Sequence, residues 1–319
     1  MMYGFETRLL TDKVLKLFLD SIPKIDSSGV QMMKKTRPHA MFNPITGKRY
    51  NFNPNEELEY NDFELETWKE QKTPICYWGT LRGTKKLRKL CTQYKINYYN
   101  LDHSYFFRTS HQSHLSLNTP NYRVTFNAEN INFLCNDKFE QEDYEHINFY
   151  RKSTVGDQLL YNEGLYKNSK KQHILLCPPS EHACNYYEMD DSETWISNTQ
   201  KLIQKHTDRP IVIRKKQLKF NKPLLEDLQN AYCIVTHQST AAIAAILNGV
   251  PSICDASSCA APVSSTKIED IENLTRPDND LIYNWVNSLL ACQFPTHKLA
   301  DGYAKRAVDR LQSQNDNNT

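Results

Sequence analysis

Glycine is scarce in this chain, nine in 319 residues, and none falls in a GxGxxG or GxxxxGK[ST] pattern. Without such a loop there is no glycine-rich cradle for a pyrophosphate, which argues against a dinucleotide enzyme and a P-loop ATPase. Long apolar runs are missing too: none approaches the roughly 20 residues a membrane helix needs. The opening MMYGFETRLL has no basic segment followed by an apolar core, so no secretory signal is expected. The nine cysteines are odd in number, with no CxxC pair and no zinc-ligand spacing. Reduced thiols in a cytoplasm are therefore expected rather than a disulfide framework. Nor does one sign of charge dominate. The balance is +2, so only local clustering can speak for a nucleic-acid partner.

The chain is long enough for two cores, and its clearest pattern lies near its end. Residues 232–254 read YCIVTHQSTAAIAAILNGVPSIC. The apolar run Tyr232–Val235 has the length and type of a buried parallel strand. A polar break at Thr236–Thr240, small residues from Ala241 to Leu247 and a stop at Asn248-Gly249 follow, and then a strand over 250–254. The polar loop therefore sits at a strand's C-terminal end, where open α/β sheets bind ligands. Ser239 and Thr240 fall at the helix cap, whose free N–H groups and dipole favour an anion. A capped crossover helix without a ligand fits this stretch equally well.

Upstream, 173–177 (HILLC) predicts a strand stopped by Pro178-Pro179-Ser180. A helix is expected over 193–206, capped by Asp191 or Ser192, then a strand over 209–214 ending in Arg214-Lys215-Lys216, and a helix over 224–231. The order is that of a doubly wound parallel sheet. Two strand exits then carry candidate anion-binding groups, Arg214 to Lys216 and Ser239-Thr240, and Ser180 is a third candidate.

The first half organises at Pro74. A strand over 74–78, a loop containing Gly79, Thr80 and Arg82, a helix over 85–95 and a strand over 96–101 make one βαβ unit. Arg82, Lys85, Lys86, Arg88, Lys89 and Lys95 lie on that loop and helix with no acid among them. They form either an electropositive rim for a phosphate-bearing partner or an ordinary lysine-rich surface helix. Asp102-His103 follows the second strand and supplies candidate bases for an acceptor hydroxyl. Adjacent residues of an extended chain point to opposite sides, so the two are not expected to act as one dyad. The alternation in 121–127 places Arg123, Thr125 and Asn127 on one polar strand face. Before this, 5–20 reads as a helix and 27–55 as a long polar loop or irregular subdomain; 135–150 is acidic and expected to be exposed. The expected division is 1–168, with the irregular insertion near 27–55, then 169–312 and a tail at 313–319.

Taken together, LDHSYF, YRVTFN, ILLCPPS, RPIVIRKK and THQSTAAIAAILNGVPSI over about residues 73–255 resemble the GT-B glycosyltransferases, and among them tailed-phage proteins of glycosyltransferase type. The resemblance implies an α/β fold of two Rossmann-like domains facing a cleft, and a nucleotide-sugar co-substrate, expected to be a UDP-sugar. It assigns Ser180, Arg214, Lys216, His237, Gln238, Ser239 and Thr240 to the donor, in place of a metal. Asp102 or His103 would be the base, while Gly79, Thr80, Arg82, Lys85, Lys86, Arg123 and Asn127 would hold the acceptor. The acceptor implied is a hydroxymethylated pyrimidine in phage DNA, modified in the host cytoplasm with no membrane partner. The sequence departs from the GT-B pattern in one respect: HQSTAAIAAILNG contains no carboxylate to grip a ribose. Three alternatives stay open at this point: the same fold acting on a glycan or small metabolite, a nucleotide-sugar epimerase, and a non-catalytic nucleic-acid-binding protein.

Overall fold

In the computed structural model, the described residues are 2–5, 12–21, 30–33, 70, 74–79, 84–106, 121–152, 172–216 and 223–312. The chain divides into two units, 1–129 with 291–319, and 130–290. The expected junction at 168/169 is thus replaced by two crossings, because the end of the chain returns to the first unit.

In chain order the first unit starts with β1 (Met2–Phe5), α1 (Asp12–Ser21), β2 (Val30–Met33), β3 (Ile75–Trp78), α2 (Lys85–Tyr94), β4 (Tyr98–His103) and β5 (Asn121–Phe126). The second unit contains α3 (Gln141–Arg151), β6 (His173–Cys177), α4 (Glu181–Tyr187), α5 (Ser192–Ile203), β7 (Ile211–Ile213), α6 (Leu224–Leu228), β8 (Ala231–Thr236), α7 (Ala241–Leu247), β9 (Ser252–Ile253) and most of α8 (Asn279–Ala291). Then β10 (Gln293–Pro295), α9 (Thr296–Ala300) and α10 (Tyr303–Gln312) complete the first unit.

The first unit's sheet has the order β10-β5-β4-β3-β1-β2, with β5 antiparallel to both of its neighbours and the other pairings parallel. On one face Ile75, Tyr77 and Tyr98 meet Leu87 and Cys91 of α2. Burying each such side chain contributes about 1.5–3 kcal/mol. The helix ends at Lys95, which adopts φ 52° and donates its N–H to the last carbonyls. On the other face Phe18 of α1 packs on Tyr99 at 5.6 Å, and Tyr99 packs on Phe126 at 5.0 Å. The Tyr99 hydroxyl donates to Asp309 of α10, which also pairs with Lys305 at 2.6 Å. So the two C-terminal helices are part of this first core.

Several expectations change here. Met2–Phe5 is an inner strand rather than the start of the helix expected over 5–20, and the described part of that stretch is helical over Asp12–Ser21. Val30–Met33 is one of the two edge strands, inside the segment read as a loop; 34–55 lie outside the described residues, as do Thr80, Arg82 and 313–319. The stretch read as acidic and exposed contains α3, which buries Asp143, His146, Ile147 and Tyr150. Its Asp143 accepts from the Glu140 N–H at 2.8 Å as part of a capping box.

The second unit's sheet, β7-β6-β8-β9, is entirely parallel. Its central strands are apolar on both faces, as a sheet covered by helices requires. Ile174, Leu176, Cys233 and Val235 pack against Ile196 and Ile203 of α5. Leu175, Cys177 and Ile234 pack on the opposite face against Leu228 and Ala245. Asp191 caps α5 by accepting from the Thr194 N–H at 2.9 Å. None of the nine cysteines forms a disulfide, and all nine are buried.

Candidate active site

Parallel pairing puts every strand exit of the second unit on one edge of its sheet. In register, Leu176 is opposite Ile213, Cys177 opposite Thr236, and Val235 opposite Ile253. The residues that follow each strand, Pro178–Ser180, Arg214–Lys216, His237–Thr240 and Cys254–Ser257, therefore emerge side by side. Sequence reading identified three of these four exits.

Most of the polar groups there already have partners. Ser180 caps α4, its Oγ accepting from the Ala183 N–H at 3.3 Å. Arg214 is ion-paired with Asp227 of α6, both side chains mostly buried. Lys215 pairs with Glu193, and Lys216 is exposed. Ser239 Oγ accepts from the Ala241 N–H at 3.2 Å, while Thr240 occupies the cap position without a side-chain capping bond.

His237 lies 3.9 Å from Asp255, too far for a hydrogen bond, and its ring rests against Tyr187 at 5.2 Å. Burial lowers its pKa and outweighs the opposing pull of the Asp255 charge. Near pH 7 the imidazole is neutral, suited to hydrogen bonding rather than to charge pairing. Burial pushes the Asp255 carboxyl up, but hydrogen bonds from the Ser257 hydroxyl and N–H bring it below its ordinary value. Gln238 extends the network: it accepts from Asn130 Nδ2 at 3.1 Å and donates to Ser257 Oγ. Asn130, Tyr187, Asp255 and Ser257 escaped the sequence reading. Asp255 had a visible signal, being a carboxylate just past a strand in the Ser/Ala/Cys-rich loop, and it stands close to where the helix segment lacked one.

In the first unit, Asp102 and His103 are the last two residues of β4 rather than loop residues. Asp102 is opposite Arg123 of the antiparallel strand β5, and Arg123 Nη2 donates to Asp102 Oδ2 at 3.1 Å. Asp102 Oδ1 accepts the His103 N–H at 2.7 Å. Arg123 also lies over the Tyr105 ring, 5.1 Å from its centroid. His103, on the opposite face, is exposed and meets Trp78 edge-on at 5.7 Å, with Tyr122 against the same indole at 5.3 Å. The two neighbours thus face opposite ways, as strand geometry requires.

Gly79 closes β3 at φ 79°, a conformation that glycine adopts at no steric cost, and its carbonyl accepts from Thr84 Oγ1 at 2.8 Å. Lys85 and Lys86 open α2, with Lys86 exposed. Arg88 of the same helix is 3.7 Å from Glu129. Asn127 does not join this group. It lies past the opposite end of the β4–β5 pair, where its Oδ1 accepts the Tyr98 N–H at 2.9 Å and its Nδ2 donates to Asn97 at 2.9 Å. Thr125 is fully buried and donates to backbone carbonyls. The face read as a polar binding surface is therefore largely internal.

Among the described residues no group of three or more His, Cys, Asp or Glu side chains is placed to hold a metal ion, and no helix is long and apolar enough to cross a membrane. No family model matches the sequence, and no curated protein does. Solved structures do. The beta Kdo 2,7 transferase of Thermosulfurimonas dismutans KpsC superposes with a TM-score of 0.51 at 12% identity, covering 96% of this chain and 99% of that one. The beta Kdo 2,4 transferase of the same KpsC gives 0.46 at 12% identity, covering 90% of each chain. The likeness to the first holds along nearly the whole of both chains, and the two-sheet α/β architecture is of the GT-B type.

Proposed function

We propose that the protein is a nucleotide-sugar-dependent glycosyltransferase, with the donor on the second unit and the acceptor on the first. The observation that carries this reading is the alignment of Ser180, Arg214, Lys216 and His237–Thr240 along one sheet edge, in a fold of GT-B type. In the proposed reaction, an acceptor hydroxyl attacks the anomeric carbon. The bond from that carbon to the nucleotide phosphate breaks, and the nucleotide leaves with the electron pair. Arg214 and Lys216, with the hydroxyls of Ser180, Ser239 and Thr240, offset the charge on the departing phosphate. His237 and Gln238 hydrogen-bond to the phosphate or the sugar. His103 takes the acceptor proton. Asp102 is tied to Arg123 and to the backbone, and holds the end of β4 in position.

The acceptor is proposed to be a hydroxymethylated pyrimidine in phage DNA, modified in the host cytoplasm. Lys85, Lys86 and Lys89, on a helix without acidic residues, support this reading. A UDP-sugar is the proposed donor. A duplex base must be unstacked first, at a cost of a few kcal/mol, so single-stranded DNA should be the better substrate. A second reading, a glycan acceptor, is favoured by the superposition on a beta Kdo 2,7 transferase. Nucleotide release from a panel of nucleotide sugars, with hydroxymethylated DNA, unmodified DNA or oligosaccharides added in turn, tests both. Stimulation by hydroxymethylated DNA alone supports the first; stimulation by oligosaccharide alone supports the second. Stimulation by neither removes the transferase reading.

A further inference from the structure

The second unit also contains a cavity of about 320 Å³ that the donor edge does not use. It abuts the edge strand β9 on its entry side, where Gly249, Val250 and Pro251 lead into the strand. His237 and Arg214 leave their strands at the other end of the sheet. Ligands of open α/β sheets gather at the strands' C-terminal ends, so this cavity is separate from the proposed donor site.

The chemistry of its wall narrows what fits. One acid and one base line it, Asp270 and Arg276, so the lining carries no net charge. Asp270 already accepts from Ser265 Oγ at 2.8 Å, and Arg276 donates to Asn279. With one charge of each sign, the wall has no net attraction for a phosphate or a polyanion. No aromatic side chain lines the cavity, so a nucleobase would find no stacking platform. The remaining polar lining is hydroxyl and amide, from residues such as Ser252, Asn273 and Thr275, set against aliphatic surface from Pro262, Val263 and Pro277. Ser252 is 2% exposed, and its hydroxyl has no hydrogen-bond partner within the protein. That oxygen is closed off from solvent, so the polar groups a ligand can reach are the exposed side chains of Asn273 and Thr275. The volume is at the small end of ligand sites, which run from about 300 to 1,000 Å³.

We propose that this cavity binds a neutral polyol the size of one monosaccharide. Its C–H faces pack on the proline and valine surface, and its hydroxyls pair with Asn273 and Thr275. This is a binding site, distinct from the transfer reaction and independent of it.

The test uses the full chain with glucose, galactose, mannose and N-acetylglucosamine, each followed by saturation-transfer NMR and calorimetry. At least one of the four should bind. Thr275 is exposed at the rim, so Thr275→Trp should block the site and weaken binding at least about tenfold with no change in melting temperature. Asn273→Ala, also at an exposed position, should weaken it too, and this second variant decides the matter if the first fails to fold. His237→Ala should leave binding unchanged. Failure of all four sugars to bind would overturn the proposal. So would full affinity in both rim variants, or loss of binding in His237→Ala.

Discussion

Arg123 and Asp102 face each other across paired strands and are joined at 3.1 Å, with both side chains mostly buried. The pair links the strand that leads to His103 with the strand carrying Tyr122. Removing one partner leaves the other charge buried. Asp102→Ala should therefore destabilise the first unit by about 3 kcal/mol, measured by urea denaturation. His103→Ala removes an exposed ring, so it should leave stability nearly unchanged and lower turnover by roughly 10²- to 10⁴-fold. If instead His103→Ala kept full turnover in a folded protein, the base assignment would move away from His103.

The state of His237 gives a prediction about pH. Its folded pKa lies below the ordinary 6.5 because burial disfavours the charged ring. The unfolded chain therefore binds a proton first as pH falls, and the native state loses stability below about 6.5 until the folded pKa is passed. Above 6.5 this contribution is constant. His237→Gln should flatten that part of the melting-temperature profile between pH 7.5 and 5. Parallel profiles for the two proteins would show that His237 is not held neutral by burial.

The lysines of α2 bear on the DNA reading. Replacing Lys85, Lys86 and Lys89 with alanine removes up to three phosphate contacts. The slope of log affinity against log salt should become shallower by about 2 to 3, read from binding titrations on single-stranded and duplex DNA. An unchanged slope would make this helix an ordinary solvated face and would favour the glycan acceptor.

The return of the chain end to the first unit is a claim about stability. Leu311 of α10 is fully buried, so Leu311→Ala should cost about 2–5 kcal/mol. The loss should appear in the urea transition of the first unit. A cost below 1 kcal/mol would mean that α10 is only loosely attached to the sheet.

The parts that could be read from the sequence were those whose local pattern is complete in itself. The 232–254 strand–loop–helix–strand, a helix cap at Asp191 or Ser192 and the opposed directions of Asp102 and His103 all follow from nearest-neighbour geometry. What escaped depends on distant partners. Met2–Phe5 and Val30–Met33 are four-residue strands whose apolar character is unremarkable until β3 pairs beside β1. Gln293–Pro295 becomes a strand only by pairing with β5, since the segment from Asn121 to Asn127 gives no sign of its antiparallel neighbours. Asn127 looked like a binding residue because it continues the alternation, yet its φ of 52° takes it out of the strand and turns it onto the backbone of β4. Asp255 was legible as a strand-end carboxylate; its link to His237 required the fold.

The most direct test of sugar transfer is mass spectrometry of acceptors after incubation with a nucleotide-sugar panel, for the intact protein and for His103→Ala side by side. Hydroxymethylated DNA, unmodified DNA and oligosaccharides are offered separately. The transferase account predicts a sugar-sized mass gain on one acceptor class, dependent on donor and strongly reduced in the variant. No mass gain on any acceptor with any donor, from a protein that is folded by its melting profile, would contradict it.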